Sequence, residues 1–217
     1  MMKLLLLFFA LSLLNSQHYP KSNIYNYYKN CTGSVSYVDN TMNSYEQNGL
    51  VLSFNKTDYV FAFCSYNDIQ EIGLRVIFNG MYTAQVKGIY HNEIWPYLYF
   101  LQLDIEDSFL PVNPNYIRFR DLDLTYELLS IGYNHSLKSK IREGYINRKI
   151  ASENNISLFG KTVKTGSRIN DIVVSPDGKL IGIVNKVIGY NTISIVPYEI
   201  IKKVYFMSTY TSLSNNK

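Results

Sequence analysis

The chain has 217 residues, 47% hydrophobic and 18% charged, enough apolar content to bury one good-sized core or two small ones and too much for a disordered chain. Its net charge of +4 arises from 21 basic and 17 acidic residues without a basic run, which excludes the electrostatic footprint of a nucleic-acid or membrane-surface binder. Three scattered histidines and two cysteines form no ligand set at a recognisable spacing, so neither a metal nor another cofactor is expected.

After "MMK" the apolar run "LLLLFFALSLL" gives way to the polar "NSQHYP", the order of a secretory signal peptide over residues 1–16, with cleavage expected after Ser16 or Gln17. The run is short for a bilayer span, and no later segment reaches that length. The mature chain is therefore expected to be secreted, with no membrane contact. Cys31 and Cys64 both survive cleavage, and an even pair in an oxidising compartment points to a disulfide. Four sequons, at Asn30, Asn55, Asn134 and Asn155, are consistent with a glycosylating lumen.

From "SVSYV" onward the chain reads as short strands rich in β-branched and aromatic residues and separated by turn signals. Six such segments, "SVSYV", "GLVLSF", "YVFAFCSY", "LRVIFNG", "YTAQVKGIY" and "YLYFLQLDI", precede a polar stretch holding Pro111 and Pro114 that reads as a linker. Five more follow: "TYELLSIGY", "IREGYINRKIA", "DIVVSP", "KLIGIVNKV" and "TISIVP". Asn79-Gly80 and Asp177-Gly178 mark two-residue hairpin turns, whose central residues need positive φ. The one expected helix is "PYEIIKKVYFM", with Pro197 at its start, Glu199 in the first turn and apolar residues at Ile200, Ile201, Val204 and Tyr205. The 20 tyrosines follow no repeat and suit half-buried strands. The expected layout is all-β: an N-terminal segment and first β unit over residues 17–112, then a second unit and closing helix over 113–217.

The stretch "SPDGKLIGIVNKVIGYNTISIVPYEIIKKVY" resembles the last part of a trypsin-like, chymotrypsin-fold serine protease, closest to the HtrA (Deg) type, in which a "DGxVIGI" hairpin precedes "ISFAIP" and a helix. Moving toward the N-terminus, "YIRFRDLDLTYELLSIGYNHSLKSKIREGYINRKIAS", "LRVIFNGMYTAQVKGIYHNEIWPYLYFLQLDIED" and "NGLVLSFNKTDYVFAFCS" resemble further family segments in the family's order, over roughly Gly33 to Tyr205. The resemblance implies two antiparallel six-stranded β-barrels with a C-terminal α-helix. It rests on order, spacing and apolar pattern, since no family motif is intact.

Carried over residue by residue, the resemblance puts Ser65 where the family has its histidine, directly after "YVFAFC", and Tyr97 where it has the aspartate opening the last strand of the first barrel. The family's "GNSGGPL" falls on "GSRINDIV", so the nucleophile position is held by Arg168 or Ile169. A hydroxyl is no general base near neutral pH, a phenol does not replace the carboxylate that orients an imidazolium, and neither Arg168 nor Ile169 is a nucleophile. Asn170-Asp171 stands where the family has two glycines, and the Asp171 carboxylate is expected to oppose a developing oxyanion. The resemblance thus implies a pseudoprotease with no catalytic residues. Secreted proteins of this kind can hold a protein partner in the cleft between the barrels or on its loops.

Two alternatives stand beside that reading. Ser167 follows Gly166, and an unconventional hydrolase would pair it with a loop histidine, His91 or His135; His18 lies beside the cleavage site. The second alternative is a structural secreted protein without a specific ligand. A contiguous exposed aromatic patch at the cleft would favour a partner, and a closed or glycan-covered cleft the structural role. No PDZ module is expected after the helix, where the sequence runs into the polar "STYTSLSNNK", so the oligomer assembly and substrate handling of complete HtrA proteins are not expected either.

Overall fold

The structure is a computed structural model that describes residues 21–55, 58–78, 82–105, 114–133, 139–152, 155–164 and 166–213. The signal segment, the Asn79-Gly80 turn, Pro111, Asn134, His18 and His135 lie outside the described residues.

Strands β1 (Thr32–Val38), β2 (Ser44–Asn55), β3 (Asp58–Cys64), β4 (Gln70–Phe78), β5 (Tyr82–His91) and β6 (Leu98–Asp104) run antiparallel in the spatial order β4-β1-β2-β3-β6-β5, and β5 returns to β4 to close a six-stranded barrel. Strands β7 (Glu127–Tyr133), β8 (Ser139–Ser152), β9 (Asn155–Thr162), β10 (Ile172–Val174), β11 (Leu180–Ile188) and β12 (Thr192–Pro197) close a second barrel in the order β10-β11-β12-β9-β8-β7. Closure leaves neither barrel with a free edge along its wall. The two six-stranded barrels and the C-terminal helix are the expected architecture.

Alternation along the strands explains why the apolar runs are nearly continuous. On β3, Tyr59, Phe61 and Phe63 point into the first barrel, while Val60, Ala62 and Cys64 point out into a core shared with the second barrel. A strand buried on both faces has no polar face to show. Leu50, Leu52 and Phe54 on β2 and Ile172, Val174, Leu180 and Ile183 of the second barrel complete that shared core.

Four details differ from expectation. A helix α1 (Lys21–Asn30) precedes β1; Ile24 and Tyr28, one turn apart, are buried on its inner face, and the Tyr28 hydroxyl donates to Gly178 O at 3.0 Å in the second barrel. Strand β9 lies in a segment that carries no strong strand pattern. Pro197 is the N-cap of the second helix, α2 (Tyr198–Met207), rather than its first residue. At the β10–β11 turn, Gly178 takes φ +82° while Asp177 does not adopt positive φ, because the connection runs over Ser175 to Lys179 and not over two residues.

Past α2, residues Thr209–Ser212 form β13, which pairs with Gly88 to His91 of β5 and so returns the chain to the first barrel. Gly88 makes room for this: a Cβ there would lie 2.3 Å from the Tyr210 ring. On its buried face α2 sets Tyr205 against Phe54 with ring centroids 4.5 Å apart, and its Ile200, Ile201 and Val204 join the shared core.

The expected disulfide is corrected. Cys31 and Cys64 are free, buried thiols. Cys31 lies one residue before the Thr32–Leu50 pair of β1 with β2, and Cys64 two residues past the Leu50–Ala62 pair of β2 with β3. Strand β2 runs between them, so the two positions are offset by ~10 Å across the sheet and ~10 Å along it. A disulfide needs Cα atoms within about 7 Å. Burial pushes the Cys31 thiol up to about 12, and its Sγ donates to Tyr27 O at 3.5 Å; burial raises Cys64 as well.

Candidate functional site

At the end of β3 the chain turns, and the Ser65 N–H donates to Tyr97 O at 2.8 Å, which fixes Ser65 beside Tyr97. Ser65 is 1% exposed. Its Oγ lies 2.8 Å from the Tyr37 hydroxyl, donates to Asn67 O at 3.0 Å and accepts from Asn67 N at 3.1 Å. All of its hydrogen-bonding capacity is used within the first barrel.

Tyr97 is half-buried, and burial raises its phenol above the ordinary value, with Cys64 and Tyr66 adding to the rise and the Asn185 side chain opposing it. Tyr66 stacks on it at 5.8 Å with planes 25° apart, and Trp95 meets it edge-on at 5.7 Å. Tyr66 is 57% exposed, and its hydroxyl donates to Asn185 O on β11 at 2.9 Å, so this ring spans the gap between the barrels. Ile94, in the β5–β6 turn that carries Trp95 and Tyr97, is 60% exposed. Asn185 Oδ1 is buried and has no hydrogen-bond partner among the described residues.

The loop from Gly166 to Asp171 closes the site from the second barrel. Ser167 is buried, with its Oγ 3.4 Å from Ser130 Oγ, while Arg168 is exposed and Ile169 packs partly against the shared core. Asp171 turns inward: Oδ2 accepts from Arg168 N at 2.9 Å, from Arg142 at 3.2 Å and from Ser130 Oγ at 3.4 Å. Burial lifts its carboxyl to about 6, against the pull of Arg168, Arg142 and Ser130. The expected opposition of Asp171 to an oxyanion therefore takes a different form. The carboxylate occupies the Arg168 N–H, one of the amides that an oxyanion site in this loop would need.

Asn170 adopts φ +70°, a region in which asparagine is among the better-tolerated side chains. Its amide clasps the first barrel: Oδ1 accepts from Cys64 N at 2.6 Å and Nδ2 donates to Cys64 O at 3.0 Å, with Gln47 Oε1 at 3.3 Å. The structure thus gathers Ser65, Tyr97 and the 166–171 loop at one point between the barrels.

It does not bring a described histidine to Ser167. His91 sits at the end of β5, its Nε2 3.4 Å from Pro96 O and its ring stacked on Tyr99 at 5.2 Å. Of the sequons, Asn30 is the exposed last residue of α1, Asn55 ends β2 and Asn155 opens β9, with the side chains of the last two outside the described set. Among the described residues no helix is long and apolar enough to cross a membrane.

Sequence reasoning missed the Asn170 clasp, the Arg142–Asp171 pair and the bridging role of Tyr66. One signal was available. Arg142 has the same parity on β8 as the interior Ile146, and an arginine on an inward-facing position demands a buried partner. No family model matches the chain, and no curated protein matches it.

Proposed function

We propose that the chain is a secreted, catalytically inactive protein related to trypsin-like serine proteases, which holds a protein partner at the cleft between its two barrels. The observation that carries this reading is the aromatic cluster at that cleft, in which exposed Tyr66 stacks on Tyr97 and Trp95 meets Tyr97 edge-on. Aromatic rings on a rigid support are the usual anchors of protein interfaces. The loss of cutting is supported by chemistry at each position. Ser65 has no free lone pair for a proton, the Tyr97 phenol is too weak an acid to carry the charge of an orienting carboxylate, and Arg168 and Ile169 offer no nucleophile.

The experiment combines labelling with capture. Purified protein is expected to leave peptide and ester substrates intact and to resist a serine-directed fluorophosphonate probe, and wild type but not Tyr66→Ser is expected to retain a discrete partner from secreted material. Labelling that maps to Ser167 and vanishes in Ser167→Ala would establish the unconventional hydrolase instead. Equal capture by both proteins would remove the cleft from the reading. N-terminal sequencing of the secreted form tests the export step, with a start at Gln17 or His18 expected.

A further inference from the structure

The two stacked rings of the cleft both turn their polar ends to Asn185 of β11. The Tyr66 hydroxyl donates to its backbone oxygen at 2.9 Å, and its side chain acts on the Tyr97 phenol as a hydrogen-bond donor. Nδ2 is the only donor that an asparagine side chain has, so Oδ1 is the atom left over. Oδ1 is buried and has no hydrogen-bond partner among the described residues, and Asn185 as a whole is 9% exposed. An enclosed acceptor without a donor destabilises the free protein, and a ligand that brings a donor removes that cost. Tyr66 offers the second half of a site. Tyr97 covers one face of its ring, and the residue remains 57% exposed, so the other face is open.

Charge does not select the ligand here. Besides the buried Asp171, which pairs with Arg142, the segments that form the cleft carry Asp68 and Glu93 from the first barrel and Arg168 and Lys186 from the second, two of each sign. The groups that act on the Tyr97 phenol are Cys64, Tyr66 and Asn185, and burial keeps the thiol and the Tyr66 phenol protonated at neutral pH. A cationic donor beside Oδ1 would lose its water without meeting a counter-charge. A carboxylate has nothing to donate, and a phenol would bring lone pairs of its own that need donors. An indole N–H is neutral, donates and leaves no lone pair behind, and its ring is flat enough to lie on another.

We propose, resting on the partner-binding reading of the cleft, that the anchor it takes from its partner is a tryptophan side chain, added as the next ring of the Tyr97–Tyr66 stack. The indole lies on the open face of Tyr66, and its N–H donates to Asn185 Oδ1. A turn about the last torsion of the Asn185 side chain, which is broad in asparagine, brings Oδ1 to that face. All three rings then direct a polar group to the same residue of the second barrel. A phenylalanine stacks equally well but leaves Oδ1 unpaired.

The test is ligand-observed NMR of the full chain with N-acetyl-tryptophanamide, against the analogue methylated at the indole nitrogen. Saturable binding of the first, about tenfold tighter than of the second, is expected. Asn185→Leu is expected to bring that ratio close to one, while Tyr66→Ser weakens both amides and keeps the ratio. The comparison in wild type reads the donor without any variant, so a poorly folded Asn185→Leu cannot hide a failure. No saturable binding, equal binding of the two amides, or a ratio that survives in Asn185→Leu would overturn the proposal, the last because solvent would then be meeting the acceptor. Equal binding of the amides together with partner capture that still depends on Tyr66 removes the tryptophan anchor and leaves the partner reading standing. The expected ratio together with capture that ignores Tyr66 keeps the tryptophan site and removes the partner reading.

Discussion

The two barrels fill their cleft-facing ends with different chemistry, and the difference follows from what lines their interiors. The first is lined by Tyr37, Tyr59, Phe61, Phe63 and Tyr99 among aliphatic residues; the second is aliphatic, with Leu128, Ile146, Leu158, Val173, Ile181, Val184, Ile193 and Ile195. An aromatic interior carries its own polar tip. Tyr37 extends its hydroxyl to Ser65, and a neutral pair completes the first barrel's end. Aliphatic side chains have no such tip, so the second barrel ends in Ser130, Ser167 and the ion pair of Arg142 with Asp171. Asp171 is tied into its own barrel while its neighbour Asn170 is tied to the other, so the loop is held from both sides.

The sharpest way to break this comparison is to remove one charge. Asp171→Ala removes the ion pair that Asp171 makes with the Arg142 guanidinium, 7% exposed, and leaves the Arg168 N–H without this acceptor. Loss of one half of a buried pair costs about 3–5 kcal/mol. Urea unfolding measures it, and a loss below about 1 kcal/mol would mean that Arg142 reaches water and that the two barrel ends do not differ in kind.

Next in size is the clasp. Asn170→Ala deprives the buried Cys64 N–H and C=O of partners and forces alanine to φ +70°, for an expected loss of about 2–3 kcal/mol. Asn170→Gly loses the same hydrogen bonds without the backbone strain and should be about 1 kcal/mol more stable than the alanine variant. Identical stabilities would show that strain plays no part at this turn.

How far these features were legible in advance depends on whether they are local. The strands of the first barrel stand out as apolar runs because β2 and β3 are buried on both faces, and simple counting along them sets Ser65 and Tyr97 side by side. Strand β9, "NISLFGKT", was obscured because Gly160 and Thr162 share the parity of Ile156 and Leu158, so the apolar alternation stops halfway along the strand. Helix α1 was hidden by tyrosine and asparagine, which are modest helix formers, and its stability comes from packing on the second barrel, far away in sequence. The cysteine pair failed for the same reason. Whether two residues of one barrel can bond depends on strand order, and nothing near Cys31 or Cys64 in the sequence records that β2 lies between them. Likewise, Asp171 was correctly located in the loop, but the inward turn of its carboxylate required Arg142 from a strand about thirty residues earlier.

A smaller effect sharpens the electrostatic half of the comparison. Because burial raises the folded-state carboxyl of Asp171 from 3.8 to about 6, the folded chain binds a proton there more tightly than the unfolded chain does. The contribution is fully present below about pH 4 and is lost as pH rises through about 6. Wild type should therefore gain on Asp171→Asn, which cannot titrate, by about 1.4 kcal/mol per pH unit across that window. Melting temperatures of the two proteins between about pH 7.5 and pH 4.5 read the difference, and parallel curves would refute the raised pKa.

The smallest expected effect belongs to the first barrel and tests whether its end is neutral. Tyr37→Phe removes one hydroxyl, but Ser65 Oγ keeps both Asn67 contacts, so no buried group loses its last partner. The loss should be about 1 kcal/mol, the net worth of an ordinary hydrogen bond, and it should not change with pH between 5 and 8, roughly the range in which neither hydroxyl titrates. Ser65→Ala should cost the same or slightly more, because Tyr37 then depends on the Asn67 side chain alone. A double-mutant cycle between the two positions isolates their interaction, which should come to about 0.5–1 kcal/mol. The same cycle between Arg142 and Asp171 should give a coupling several times larger. If the two couplings are equal, interior composition does not decide how a barrel end is filled, and the contrast between an aromatic and an aliphatic barrel loses its energetic basis.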